Sequence, residues 1–147
     1  MFLGIVLAVG NAKNSHSYTE LLSLSNWSWS VKSAYPFSSK IYSAPTLFFA
    51  DHFWIFGGLD GKGGSQIARY DPNSDVWTDF GRLAAGRDGH NVIFTQEGFF
   101  VIGGNGNKPT EKCKFDDFGC DCSMHAPYLT DYVSYPELFL TKNDYCM

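Results

Sequence analysis

The sequence predicts an all-β chain built from about three repeats of one four-strand unit. Three observations predict it. First, an aromatic-rich run closed by a glycine pair occurs twice, as Phe53-Trp54-Ile55-Phe56-Gly57-Gly58 and Phe99-Phe100-Val101-Ile102-Gly103-Gly104. Gly57 and Gly103 lie 46 positions apart, and self-similarity at such a period signals stacked or radial repeats. Second, short runs of Val, Ile, Phe, Tyr and Trp alternate with Gly, Asn, Asp and Ser, the pattern of strands and turns. Third, no stretch carries helical periodicity.

The elements follow in order. Val6-Leu7-Ala8-Val9-Gly10-Asn11 is a weaker copy of the glycine-closed run, with Gly10 47 positions before Gly57. The first unit (1–38) is expected to hold strands near 4–9, 18–24 and 27–32. The second (39–84) is expected to hold strands near 44–49, 52–56, 66–70 and 76–80. Asp71-Pro72-Asn73-Ser74 between its last two strands is turn chemistry: Pro72 presets φ, and Asp71 and Asn73 can bond local backbone. The third (85–127) is expected near 90–94, 98–102, 110–115 and 118–122, and a last strand near 135–140 stands in the remainder (128–147). Ser134–Leu140 matches Ser43–Phe49, with Pro136 and Pro45 in equivalent places.

Further landmarks run in phase. Tyr70 and Trp77, Leu22 and Trp29, and Cys113 and Cys120 are each seven apart, and Thr19-Glu20 and Thr110-Glu111 open the corresponding strands. A strand ending in Gly-Gly followed by Tyr and Trp at this spacing resembles the kelch repeat. Arg87-Asp88-Gly89-His90 also looks like a kelch element. The resemblance covers roughly residues 2–140 and is strongest over 44–104. It departs at Asn11, at Leu22 and at the third unit's cysteines. It implies a partial β-propeller of about three four-stranded blades, and binding more often than catalysis. Under it Gly57, Gly58, Gly103, Gly104, Tyr70 and Trp77 are structural.

The units supply three, four, four and one strands, or three blades' worth, whereas propellers typically have four to eight. The chain is therefore expected to be part of a longer propeller, or a half that dimerises into six blades. Residues 2–10 also resemble a signal-peptide core. The missing positive flank and the alignment with the repeat favour a strand.

Net charge is −4 and the eleven basic residues are scattered, which argues against nucleic acid. No apolar stretch of about twenty residues predicts a transmembrane helix.

Cys113, Cys120, Cys122 and Cys146 lie in the last quarter of the chain. Written with His125 they suggest zinc, but Cys120-Asp121-Cys122 fits no common ligand spacing, so no metal or cofactor is expected. Two readings remain: disulfides, with Cys113 facing Cys120 or Cys122 across a hairpin, or four reduced thiols. Paired cysteines imply an oxidising, extracellular compartment; reduced ones leave the cytoplasm open. Asn26-Trp27-Ser28 is a glycosylation triplet of low specificity.

Asp60-Gly61-Lys62-Gly63-Gly64 lacks the frame and helix of a phosphate loop. It and Asn105-Gly106-Asn107-Lys108-Pro109 are equivalent loops, expected on one face. Asp60, Lys62, Asn105 and Asn107, with Arg87 and His90, are candidate binding residues. Arg87 and His90 can equally bridge strands. No catalytic constellation is evident. The expected function is a non-catalytic module binding a protein partner through its loops. The alternatives are an extracellular adhesion fragment and, last, an enzyme similar to the kelch-type copper oxidases. Those need several His and Tyr ligands converging, whereas His16, His52, His90 and His125 fall in different repeat contexts.

Overall fold

A computed structural model describes residues 4–11, 17–37, 41–58, 64–106, 108–116 and 119–124. Among these residues the fold is all-β. Eleven strands occupy the expected places to within about two residues, an agreement that follows from the glycine and turn punctuation. The twelfth, near 135–140, lies outside the described residues.

The first unit is a three-stranded antiparallel sheet of β1 (Ile5–Asn11), β2 (Ser17–Ser23) and β3 (Ser28–Lys32). The second unit comprises β4 (Thr46–Phe49), β5 (His52–Phe56), β6 (Gln66–Asp71) and β7 (Val76–Arg82). The third comprises β8 (His90–Thr95), β9 (Gly98–Gly103), β10 (Glu111–Phe115) and β11 (Cys120–Met124). Each four-strand unit is an antiparallel meander. A short parallel ladder, Cys120–Asp121 along Gly81–Arg82, joins β11 to β7. The result is a nearly closed, barrel-like sheet ordered β4-β5-β6-β7-β11-β10-β9-β8.

Strand alternation gives the middle unit two different faces. On one, Trp54, Phe56, Ile67 and Phe80 pack with Val92, Phe99, Val101 and Cys113 of the third unit. Trp54 meets Phe80 edge-on with ring centroids 4.7 Å apart, and Phe56 meets Phe99 at 5.0 Å. Each such aromatic contributes about 1.5–3 kcal/mol by leaving water. On the other face, Ile55 and Ala68 pack with Tyr35, Ile41 and the half-buried Val9, Phe37 and Trp77.

The register identifies equivalent positions. Leu22 stands opposite Trp29, and Tyr70 opposite Trp77. In the third unit Cys113 stands opposite Cys122, not Cys120, which corrects the seven-residue landmark there. The β10–β11 hairpin runs one rung further, to Phe115 and Cys120. Its inner rungs still match, since Tyr70 faces Phe53 as Cys113 faces Phe99.

Candidate functional site

The segment Arg87–His90 lies in the seam between the two glycine corners. Gly58 N–H donates to the Arg87 carbonyl (2.9 Å), and Arg87 N–H to the Gly64 carbonyl (3.0 Å). Gly89 N–H donates to the Ser43 carbonyl (3.1 Å), and Asn105 N–H to that of Asp88 (2.9 Å). The segment thus fastens the end of β5 to the end of β9. Gly57 has φ 58° there, and a Cβ on it would lie 2.8 Å from the Arg87 carbonyl oxygen and 2.9 Å from His90 Cε1. Only glycine combines that conformation with that approach.

Arg87 and Glu111 form a fully buried ion pair, Nη2 to Oε1 at 2.5 Å, with both side chains 0% exposed. The guanidinium also donates to the carbonyls of Gly103 (3.0 Å), Pro109 (2.9 Å) and Ala85 (3.4 Å). The carboxylate accepts the backbone N–H groups of Ala84 (2.7 Å) and Ala85 (2.9 Å). Such saturation is what makes a buried pair tolerable. Arg87 accordingly builds the seam rather than presenting itself to a ligand.

His90 is 5% exposed, and neither ring nitrogen has a hydrogen-bond partner. Burial first, and the Arg87 charge second, push its pKa from 6.5 down to about 3. The Phe56 backbone opposes this weakly, without reaching hydrogen-bond geometry. Asp88 bonds Asn105 instead of His90, so the adjacent acid and imidazole form no catalytic pair.

A second cluster ties the first unit to the middle one. Tyr70 Oη donates to Asp75 Oδ1 (2.7 Å), which also accepts Ser33 N–H (2.9 Å). Trp77 Nε1 donates to the Ser33 carbonyl (3.0 Å). The Ser33 bond, then the Tyr70 bond, hold the Asp75 carboxyl below its usual range. Burial, then Asp75, raise the Tyr70 phenol.

The third cluster is sulfur. Cys113 and Cys122 form a disulfide across β10 and β11, which selects one of the two hairpin pairings left open by the sequence. Cys120 is a half-buried free thiol with Sγ 3.8 Å from that of Cys122. Burial, then Asp121 and Asp116, push this thiol up to about 12.

Of the predicted binding residues, Arg87 and His90 meet in the seam, and Asn105 is exposed beside it on Asp88. Asp60, Lys62, Asn107 and Cys146 lie outside the described residues, as do His16 and His125. The sequence reading missed Glu111 as a partner of Arg87. Its signal was an acid in phase with Cys113 on the buried side of β10, visible only once register is known.

No family model matches the chain, and no curated protein matches it. Solved structures do. The chain is similar to a fungal alcohol oxidase of the AA5 family, solved in complex with copper. The identity is 19% and the TM-score 0.58, over 80% of this chain and 27% of the oxidase chain. It is also similar to YjhT at 19% identity and TM-score 0.50, over 65% of this chain and 33% of that one. The chain thus spans about a third or less of these proteins. At this identity the likeness is one of fold. It nevertheless corrects the expected function. The expectation of a non-catalytic module rests on the repeat resemblance and on the lack of an evident catalytic constellation, whereas this fold is shared with an oxidase.

A copper site built on imidazole does not fit the described residues, since no group of three His, Cys, Asp or Glu side chains converging among them includes a histidine. His90 is the one imidazole among them with buried, unpartnered nitrogens. His52 Nδ1 bonds the Ala50 carbonyl (2.6 Å), and the Tyr70 hydroxyl donates to Asp75.

Proposed function

We propose that this chain is the blade-forming portion of an oxidase-like enzyme, acting on alcohols as the AA5 alcohol oxidase does. The observation that carries it is the fold shared with that oxidase over four-fifths of this chain. We further propose that the three units are radially arranged kelch-type blades. Equivalent positions support this: Ile55 and Ala68 face the preceding unit, as Phe99, Val101 and Cys113 do one repeat later. The described residues contribute scaffold. The Arg87–Glu111 seam locks two glycine corners at one end and so fixes where the adjoining loops emerge.

The test is oxygen consumption by the naturally expressed protein with a panel of primary alcohols, before and after copper loading. Oxidation of an alcohol to its aldehyde delivers two electrons and two protons to dioxygen, giving peroxide. Alcohol-dependent peroxide is the expected result. Its absence in both states overturns the reading.

A further inference from the structure

We propose that the Cys113, Cys120 and Cys122 sulfurs form a redox-gated site for one copper(I) ion, closed while the disulfide stands and open once it is reduced. The three sulfur atoms all lie within 4.8 Å of one another. The arrangement follows from the hairpin. Cys120 and Cys122 are two residues apart on β11 and so point to one face. Cys113 is directly opposite Cys122 on β10. The turn that sets this register is held by Asp116 N–H on the Gly119 carbonyl (3.0 Å) and by Gly119 N–H on the Asp116 carboxylate (3.1 Å).

The surroundings favour a soft, weakly hydrated ion. Cys113 is 0% exposed and belongs to the core cluster with Phe99 and Val101, while Cys120 and Cys122 pack against the same cluster. That side is dry. On the other side Cys120 lines an open depression with Lys114, Phe115, Asp116 and Asp121, which gives the ion a way in. Three thiolates and no fourth ligand among the described residues suit copper(I), which thiolates select. Structural zinc sites are almost always closed by four ligands. The C-x-C spacing argued against a metal in the sequence because the third ligand comes from the neighbouring strand.

The chemistry balances with a dithiol as reductant. The dithiol transfers two electrons and two protons, cleaving the Cys113–Cys122 bond to two thiols and leaving as its own cyclic disulfide. Copper(I) then replaces the three S–H protons, which pass to solvent, forming three Cu–S bonds with no change in metal oxidation state.

The test uses the whole chain, reduced with a dithiol, desalted without oxygen and titrated with copper(I) held by a colorimetric chelator. Ultraviolet thiolate-to-copper absorption and native mass are read together. One copper per reduced chain and none on the oxidised chain is expected. Cys120→Ser leaves the disulfide pair in place and is expected to weaken binding at least tenfold, whereas Cys146→Ser leaves it unchanged. The proposal is overturned by equal binding to oxidised protein, by Cys120→Ser binding as tightly as the parent, or by loss of binding in Cys146→Ser. Preference for zinc, or loss of the β-sheet circular dichroism on reduction, also overturns it, since the site needs the hairpin in register.

Discussion

The middle and third units solve the same three rungs with different chemistry. Where the middle unit sets Tyr70 against Trp77, with ring centroids 4.8 Å apart, the third sets the Cys113–Cys122 disulfide. Where the middle unit places Ala68 opposite Ile55, the third places Glu111 opposite Val101. His90 stands opposite Gly103; carrying the middle register two rungs past Thr46–Ile55 sets Ala44 opposite Gly57. The close approaches agree: a Cβ on Gly58 would meet Ala44 Cβ at 2.6 Å, and one on Gly104 would meet His90 Cβ at 3.1 Å. The repeat therefore fixes backbone register at each rung, and neither side-chain size nor polarity. The buried acid is accepted with its partners supplied, and the imidazole is accepted by staying neutral.

The largest effect is expected from giving the third unit the middle unit's residue at the Glu111 rung. Glu111→Ala matches Ala68 in size but leaves the Arg87 guanidinium buried without its counter-charge. Breaking a buried pair on one side costs about 3–5 kcal/mol. The double variant Arg87→Met with Glu111→Ala removes both charges and is expected to recover part of that loss, since the Ala84 and Ala85 N–H groups still lose their acceptor. Urea midpoints of the three proteins check it. A single variant as stable as the parent would mean that the pair is not what fastens the seam.

These rungs also show what was legible in the sequence. Glycine pairs and turn residues are local, so the strands and their order could be read directly. The Cys113 pairing depended on how many rungs the β10–β11 hairpin holds, and the turn residues do not state that number. Glu111 was visible only as half of a repeated Thr-Glu. Its twin Glu20 is exposed, because among the described residues nothing covers that face of the first unit, where Trp29 and Val31 are 53% and 70% exposed. The same two letters thus name a solvated acid in one unit and a buried one in another. Whether the fold serves catalysis was beyond a single sequence, since the repeat signature belongs to the scaffold.

A smaller effect is expected at the His90 rung, and it depends on pH. The folded pKa of about 3 lies below the ordinary 6.5, so the unfolded chain takes up a proton that the folded chain refuses. Stability is therefore full above about pH 6.5 and falls as pH drops towards 3. The slope approaches about 1.4 kcal/mol per pH unit, or about 2 kcal/mol between pH 8 and pH 5. His90→Ala, which installs the residue of the Ala44 rung, is expected to remove this slope. Comparing denaturation at the two pH values isolates the imidazole, because the carboxylates are common to both proteins. Parallel profiles would show that His90 is not held neutral.

The smallest effect is expected at the rung where the aromatic pair and the disulfide correspond. Tyr70→Phe keeps the ring against Trp77 and deletes only the hydroxyl that bonds Asp75. A net loss of about 0.5–1.5 kcal/mol follows for one such bond. Asp75 offers a local readout of the same change. Its carboxyl is held down by Ser33 N–H first and by Tyr70 second, so in Tyr70→Phe its pKa is expected to rise part of the way towards the ordinary value and stop there. Carboxyl carbon NMR titration measures it directly. A complete return would mean that the Ser33 contact is lost too, and with it the tie between the first and middle units. No change would mean that the phenol contributes packing alone, leaving this rung without a bond of its own where the third unit has a covalent one.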